Sequence, residues 1–243
     1  MKAKLLLHHL PTPEDLAKAA ATKFVGLLKR RSDLRHPFGV ALSGGRIAQP
    51  FYQSIVKLVK ESPTSFDDVH FFWADERCVP GNSPESNFFT AQEQLFQPLN
   101  IAATNVHRIL ADRDVNYAVQ EAEAELCRVM PLNPSAQPQL DLVILGMGED
   151  GHVASLFPEE SAGLVEDARV YRHVVATKPP PNRVTLGYQP ILAAREVWVL
   201  ASGIGKTSAY HALLAGDERL PIARVAANRK QTVVFQDIEK PEI

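Results

Sequence analysis

The chain has 243 residues, enough for one large α/β domain with a substantial core. Acidic residues number 28 against 26 Lys and Arg, and no block of like charge stands out, which argues against nucleic acid or an anionic membrane surface as the main partner. The only cysteines, Cys78 and Cys127, lie in separate segments, so neither a disulfide framework nor a CxxC site can be built from them.

The amino-terminal segment has basic residues around an apolar run, Leu5–Leu7, that is far too short for the core of a signal peptide. No apolar stretch approaches the roughly 20 residues of a membrane-spanning helix. We therefore expect a soluble protein in the reducing cytoplasm, with neither a membrane nor a nucleic acid as partner.

The first predicted helix has Thr12 suited to its N-cap and Pro13 to its first position, and apolar residues recur at helical spacing from 16 to 28. A short apolar strand is predicted next, over Phe38–Leu42. It runs into Ser43-Gly44-Gly45-Arg46, and a helical pattern resumes over 49–59.

A strand, a Ser-Gly-Gly turn and a helix start in succession are typical of a cradle for an anion. Glycines let the backbone approach a ligand, and the amides of the turn and of the helix terminus point at a negative group. Arg46 would add a guanidinium suited to phosphate. Two glycines alone do not distinguish such a cradle from a tight turn that binds no ligand, so both interpretations remain open.

The aromatic segment Val69–Ala74 is predicted as the next strand, and it ends in the charged triplet Asp75-Glu76-Arg77. A long loop rich in Pro, Gly, Asn and Ser follows. Three charges at the end of a strand favour a binding loop, with Arg77 as a ligand for phosphate or a carboxylate. Alternatively, Asp75 and Glu76 only take part in ion pairing that holds the loop.

Alternating elements continue through the middle of the chain. We predict a helix over 88–95 that stops before Pro98, an extended link over 105–109, and a helix over 116–130. Repeated strand–helix units of this kind imply a parallel sheet with right-handed crossovers.

An apolar run after Asp141 is short enough for a strand buried on both faces, and it breaks into Gly146-Met147-Gly148-Glu149-Asp150-Gly151-His152. In open α/β sheets, ligands bind beyond the carboxyl ends of the strands. His152 is therefore a candidate for acid–base chemistry. The alternative is a loop histidine whose hydrogen bonds are satisfied.

The carboxyl-terminal third contains predicted strands at 168–175, 196–201 and 232–235, and a helix that runs to Leu214. Between the first two strands, three prolines predict an extended backbone from which Arg183 emerges. Lys206 follows a glycine turn at a helix start. The P-loop pattern fails, because Leu200 stands where its first glycine is required.

Four strand ends thus carry polar groups: Ser43 to Arg46, Asp75 to Arg77, Asp150 to His152, and Lys206. If the strands are parallel, these ends meet at one edge of the sheet and surround one acid–base candidate with cations and backbone donors. This chemistry fits a small phosphorylated substrate. Zinc is disfavoured, because no suitably spaced ligands accompany His152.

The chain resembles the 6-phosphogluconolactonases of the glucosamine/galactosamine-6-phosphate isomerase superfamily over most of its length. The segments that carry the resemblance are Leu42–Gly45, Asp75–Pro80 with Ser86-Asn87, Leu145–Pro158, Pro180–Leu186, and Gly203 with Lys206. The most specific of them is the string Asp-Gly-His-x-Ala-Ser-Leu-Phe-Pro after a Gly-x-Gly turn.

The resemblance implies a three-layer α/β/α, Rossmann-like, mostly parallel sheet in a single domain spanning 1–243. It implies hydrolysis of 6-phospho-D-glucono-1,5-lactone in the pentose phosphate pathway, with a small phosphorylated sugar lactone as ligand and no metal or organic cofactor. We expect a monomer or a small homo-oligomer.

Roles carried over by the resemblance make His152 the general base and Asp150 a group that orients the imidazole or its loop. The expected ligands of the phosphate or the substrate hydroxyls are Ser43, Gly44, Gly45, Arg46, Asp75, Arg77, Arg183 and Lys206. Arg183 serves either the phosphate or the lactone carbonyl.

One departure concerns the phosphate loop. Members of the family usually continue Ser-Gly-Gly with Ser-Thr-Pro, whereas Arg46-Ile47-Ala48 stands here. Either Arg46 replaces the lost hydroxyls or the phosphate is held differently. Two rival functions remain at this point: a glucosamine-6-phosphate deaminase-type isomerase, and a sugar-phosphate binder without activity. The deaminases continue their histidine loop differently, and Ser155–Pro158 favours the lactonase.

Overall fold

The computed structural model describes residues 4–31 and 36–238. Met1–Ala3, the first residues of the basic amino-terminal segment, lie outside the described residues. The strands are β1 (Lys4–His9), β2 (Phe38–Leu42), β3 (Val69–Trp73), β4 (Asp75–Arg77), β5 (Leu142–Gly146), β6 (Tyr171–Val175), β7 (Asn182–Leu186), β8 (Glu196–Ala201) and β9 (Gln231–Gln236). The α-helices are α1 (Pro13–Lys29), α2 (Ala48–Glu61), α3 (Asn87–Ala91), α4 (Gln97–Leu99), α5 (Val115–Val129), α6 (Tyr188–Ala193), α7 (Thr207–Leu214) and α8 (Pro221–Ala227).

The central sheet has six strands in the order β1-β9-β8-β5-β2-β3, and every neighbouring pair in it is parallel. Its middle strands are apolar on both faces because helices cover both faces of the sheet. The predicted three-layer α/β/α class is therefore confirmed.

A second sheet has three short antiparallel strands in the order β4-β7-β6. The prediction missed this sheet and extended the strand at 168–175 too far toward the amino terminus. The run of three prolines after Lys178 forms the bend between β6 and β7 rather than a long extended segment. Because the two strands pair in antiparallel register, the bend makes them a hairpin.

Local sequence signals locate the start of α1 correctly. Thr12 caps α1, its side chain accepting a hydrogen bond from the amide of Asp15, and Pro13 occupies the first turn. The predicted stop before Pro98 is wrong. A π-helical turn, Gln92–Phe96, follows α3 and leads directly into α4, so the helical run continues past Pro98. Pro98 lacks a backbone N–H, and the π-helical turn before it already departs from the α-helical hydrogen-bond pattern.

The four strand ends that carry polar groups belong to β8, β5, β2 and β3, which are consecutive neighbours in the central sheet. Since these strands are parallel, their carboxyl ends lie along one edge, as predicted. Strand β4 begins just after β3 and leaves the central sheet to join the second one, so the antiparallel sheet lies beside this edge.

Candidate active site

A cavity of about 100 Å³ opens at the carboxyl edge of the central sheet. All the predicted site residues except Asp150 line it. The lining residues are Ser43, Gly44, Gly45, Arg46, Ile47, Asp75, Arg77, Gly146, Met147, His152, Ala154, Arg183 and Lys206. Asp150 lies behind the histidine and contacts its ring.

The imidazole of His152 is held at one nitrogen. Its Nδ1 lies 2.5 Å from Oδ1 of Asp150, and the same carboxylate oxygen accepts the His152 amide at 3.2 Å. This contact assigns the proton to Nδ1 in the neutral ring and leaves Nε2 as an acceptor. Gly148 allows the arrangement, because a Cβ there would lie 2.1 Å from Nδ1 of His152.

Asp150 remains a carboxylate despite its partial burial. Burial by itself raises the pKa of this carboxyl, but the charge and hydrogen bonds of His152 and the charge of Lys178 outweigh that effect and leave the pKa lowered. Lys178 Nζ lies 4.0 Å from the carboxylate. An ionised Asp150 favours a hydrogen bond from Nδ1 and stabilises any positive charge that develops on the ring.

The turn after β2 is shaped for close approach. Gly44 packs so tightly on Asn87 that a Cβ would lie 1.8 Å from the Asn87 Oδ1 atom, and Gly45 has a φ of +93°. The hydroxyl oxygen of Ser43 is buried and has no hydrogen-bond partner among the described residues. An acceptor or donor entering the cavity would satisfy it.

Arg77 and Arg183 face each other across the β4–β7 pair. Like charges directly opposite in a sheet repel, so an anion between them would relieve the repulsion. Arg77 donates from Nη1 to the carbonyl of Glu85 at 2.7 Å, while its buried Nε lacks a partner in the described part of the chain. Burial lowers the pKa of Arg183, and the nearby charge of Asp75 partly offsets this.

The carboxylate of Glu76 anchors the loop after β4. It accepts hydrogen bonds from the amides of Arg77, Asn87 and Phe88 and from the hydroxyl of Ser86. Burial raises its pKa, and these hydrogen bonds oppose the shift. The loop is therefore held by charge-assisted hydrogen bonds rather than by the ion pair that the charged triplet suggested.

Asp75 is buried and hydrogen-bonded within the site. Its Oδ2 accepts the hydroxyl of Ser155 at 2.8 Å, and its carbonyl accepts from Nδ2 of Asn87 at the same distance. Side chains alternate along a strand, so Asp75 and Arg77 lie on the same face of β4. Register places Thr185 opposite Asp75, and the Thr185 hydroxyl accepts the amide of Ser155.

Lys206 stands in a 3₁₀ turn, Ile204–Lys206, just after β8. Burial and the neighbouring charge of Arg46 lower the pKa of its ammonium group, while Asp237 and Glu149 act in the opposite direction. A partly desolvated ammonium beside the Ser43–Gly45 turn is a strong partner for an anion.

Arg46 differs from the other cations of the site. Its side chain is 90% exposed, and its Nη2 lies 3.4 Å from Oε1 of Glu149, which is itself 58% exposed. The guanidinium therefore stands at the mouth of the cavity, paired with the turn that carries His152. Such an exposed pair is weak and opens easily.

Sequence reasoning did not single out several residues that build the site: Asn87, Ser155, Phe157 and Thr185. Ser155 and Phe157 lie in the most specific segment of the family resemblance, which is the signal that could have identified them. Asn87 and Thr185 also lie in segments that carry the resemblance, but their roles depend on contacts between segments, such as the bond from the Ser155 amide to the Thr185 hydroxyl.

Within residues 4–31 and 36–238, no group of three or more His, Cys, Asp or Glu side chains is arranged to hold a metal ion. In the same part of the chain, no helix is both long and apolar enough to cross a membrane.

Comparison with known proteins relates the chain to sugar-phosphate enzymes. A family model described as glucosamine-6-phosphate isomerases/6-phosphogluconolactonase matches residues 11–234. The 6-phosphogluconolactonase of Streptomyces coelicolor is 34% identical and aligns with 92% of this chain and 88% of its own. That of Mycobacterium tuberculosis is 32% identical, over 93% of this chain and 92% of its own.

Solved structures agree with this relationship. The 6-phosphogluconolactonase of Trypanosoma brucei superposes with a TM-score of 0.83 at 28% identity and covers 96% of both chains. A monomeric glucosamine-6-phosphate deaminase shares the fold, with a TM-score of 0.75 at 18% identity over 95% of this chain and 97% of its own. The chain belongs to the glucosamine-6-phosphate isomerase/6-phosphogluconolactonase family.

Proposed function

We propose that the protein hydrolyses 6-phospho-D-glucono-1,5-lactone to 6-phospho-D-gluconate in the pentose phosphate pathway. The observation that carries the proposal is the pairing of His152 with Asp150 inside a cavity lined by Arg77, Arg183 and Lys206. The 6-phosphogluconolactonases among its relatives support the same assignment.

In this proposal His152 is the general base. Nε2 takes a proton from water as the water oxygen attacks the lactone carbonyl carbon, and the positive charge that develops on the ring is stabilised by Asp150 at 2.5 Å. The tetrahedral intermediate then collapses, the bond from the carbonyl carbon to the ring oxygen breaks, and the imidazolium returns its proton to that oxygen. The products are the open-chain acid and the regenerated neutral base.

The phosphate end of the substrate is held in this scheme by the turn of Ser43, Gly44 and Gly45 together with Arg77 and Lys206. The free hydroxyl of Ser43 and the free Nε of Arg77 support this assignment, since both are buried and lack partners among the described residues. Asp75 accepts a substrate hydroxyl, and Arg46 contributes charge from the mouth of the cavity.

Arg183 is the cation that we assign to the lactone carbonyl. Its guanidinium carbon lies 5.9 Å from the ring centroid of Phe157, and that ring also contacts the imidazole of His152. Among the cations that line the cavity, Arg183 is thus tied to the base through a shared neighbour. A preorganised donor to the developing oxyanion typically contributes about 100- to 1000-fold in rate.

We further propose that the chain acts as one catalytic domain in the cytoplasm, as a monomer or a small homo-oligomer. The even charge balance and two free cysteines support that setting. The ligand is a small phosphorylated sugar lactone rather than a nucleic acid.

The test is the rate at which fresh 6-phosphogluconolactone disappears with purified protein, measured against buffer alone. Loss of lactone at the rate in buffer refutes the proposed activity. Release of ammonia from glucosamine 6-phosphate would instead assign the protein to the deaminase branch. Binding of 6-phosphogluconate without any turnover would make it a sugar-phosphate binder.

A further inference from the structure

A largely buried ion pair outside the cavity joins the segment after His152 to the antiparallel sheet. Glu160 accepts hydrogen bonds from both terminal nitrogens of Arg172, on β6, at 2.7 and 2.6 Å. The two side chains are only 8% (Arg172) and 19% (Glu160) exposed. A bidentate pair of this kind fixes both the separation and the orientation of the segments that carry it.

The same carboxylate also holds the backbone of Phe157. The Phe157 amide donates to Oε2 of Glu160 at 3.2 Å, and the Glu160 amide donates to the Phe157 carbonyl at 3.2 Å. On the other side, Nη1 of Arg224 on α8 donates to the Glu160 carbonyl at 3.3 Å. The turn from 157 to 160 is therefore closed on itself and tied to two other elements.

The ring of Phe157 contacts the imidazole of His152, with ring centroids 5.1 Å apart. It also packs in a small apolar cluster with Val174 and Ala176. Alternation along the strand puts Val174 on the same side of β6 as Arg172, and Ala176 follows just after the strand ends. One side of β6 thus receives Glu160 through Arg172 and the Phe157 ring through Val174.

His152 needs this support because Asp150 holds the imidazole at Nδ1 only. A ring anchored at one nitrogen can still tilt, and a tilt moves Nε2, the atom proposed to take the proton from water. Arg183 does not depend on the turn in the same way, because it donates from Nε to the carbonyl of Pro180 at 3.0 Å and from Nη2 to that of Lys178 at 3.3 Å.

We propose that Glu160 and Arg172 are positioning residues for the general base, acting through the ring of Phe157. This inference rests on the proposed role of His152. The ion pair sets where the turn sits on β6, the turn sets where the Phe157 ring sits, and the ring confines the imidazole to the orientation that productive proton transfer requires.

The first test is Glu160→Gln, which keeps the shape of the side chain and an acceptor for the Phe157 amide but loses the charge that pairs with Arg172. We expect kcat to fall by about 10- to 100-fold, because small misplacements of a catalytic group have effects of that size. KM and the Kd of inorganic phosphate should stay within about threefold of wild type, since the cations of the cavity keep their own anchors.

The matched control is Asp167→Asn, which removes a carboxylate that bonds to the exposed side chain of Arg169 just before β6 and acts on Arg172 only through its charge. This variant should keep the wild-type kcat. A Glu160→Gln protein that is folded and has the wild-type kcat would overturn the proposal. So would a loss of phosphate affinity in proportion to the loss of kcat, because that result indicates general damage to the site.

Two further measurements decide the remaining cases. If Glu160→Gln does not fold, Phe157→Leu tests the ring with the ion pair intact, and an unchanged kcat there overturns the proposal. If the wild type has no lactonase activity, the proposed function fails, and the NMR signal of the His152 Cε1–H group decides the positioning role. That signal should shift and broaden in Glu160→Gln; identical signals in both proteins would overturn the proposal.

Discussion

Several residues around the cavity keep a donor or acceptor atom available for a ligand. Arg77 and Ser43 each have a buried polar atom without a partner in the described residues, and a buried unsatisfied group costs about 1–3 kcal/mol. The sequence predicted which residue types meet here, from strand ends and family motifs. It could not predict that Arg46 is directed outward, because side-chain exposure depends on neighbours such as Glu149.

The exposure of Arg46 makes a prediction about substrate affinity. Its guanidinium acts through water-exposed contacts, which are worth about 1 kcal/mol or less, so Arg46→Ser should raise KM by no more than about fivefold and leave kcat unchanged. Arg77→Met is the comparison from inside the cavity and should raise KM by at least about tenfold. Steady-state kinetics on both variants test this, and equal effects would make Arg46 a direct ligand.

At the scale of elements, the site depends on the turn between β2 and α2 and on the antiparallel sheet. The turn was predictable, since an apolar strand, glycines and a helix start follow one another locally. The sheet was not, because β4 has only three residues and its pairing with β7 joins segments about a hundred residues apart in the sequence. Pairing between segments so far apart leaves no local pattern in the sequence from which the sheet could be predicted.

The turn can be tested by adding one methyl group. In Gly44→Ala the new Cβ would lie 1.8 Å from Oδ1 of Asn87, which must then move and lose its bond to Asp75. We expect the free energy of unfolding to fall by about 1–3 kcal/mol, as in other overpacked sites. Calorimetry should show phosphate affinity falling by about tenfold as the cradle shifts.

Gly26→Ala is the matched control, within α1. A Cβ there meets only the flexible end of Arg30, at 3.5 Å, so the change should stabilise the protein by about 0.5–1 kcal/mol and leave phosphate binding intact. Urea denaturation measures both effects. An unchanged phosphate affinity in Gly44→Ala would contradict the importance of the contact between this glycine and Asn87.

For the whole molecule, a parallel sheet buried between helices provides the frame, and one extended apolar core surrounds it. A partly buried polar chain lies beside the edge strand β3, away from the site. His70 contacts His107 at 2.8 Å, and His107 contacts Glu125 at 2.7 Å. Burial lowers the pKa of both histidines, whereas hydrogen bonds from Arg128 help to hold the pKa of Glu125 at about 2.

These shifts predict how stability depends on pH. A histidine whose pKa is lowered by folding binds its proton more readily in the unfolded chain than in the folded one. Its contribution to the free energy of unfolding is therefore fully present above the unfolded pKa of about 6.5, and it is lost as the pH falls below that value. The free energy of unfolding should therefore be lower at pH 5.5 than at pH 7.5. His107→Gln should reduce that difference, and an unchanged difference would contradict the assignment.

The central claim is that His152 supplies the base while other residues bind the phosphate. The most direct measurement is kcat for 6-phosphogluconolactone with His152→Ala, together with the Kd of 6-phosphogluconate for the same protein. We predict that kcat falls by about 100- to 10,000-fold and that the Kd stays within about threefold of wild type. A folded His152→Ala enzyme that retains the wild-type kcat would contradict the account.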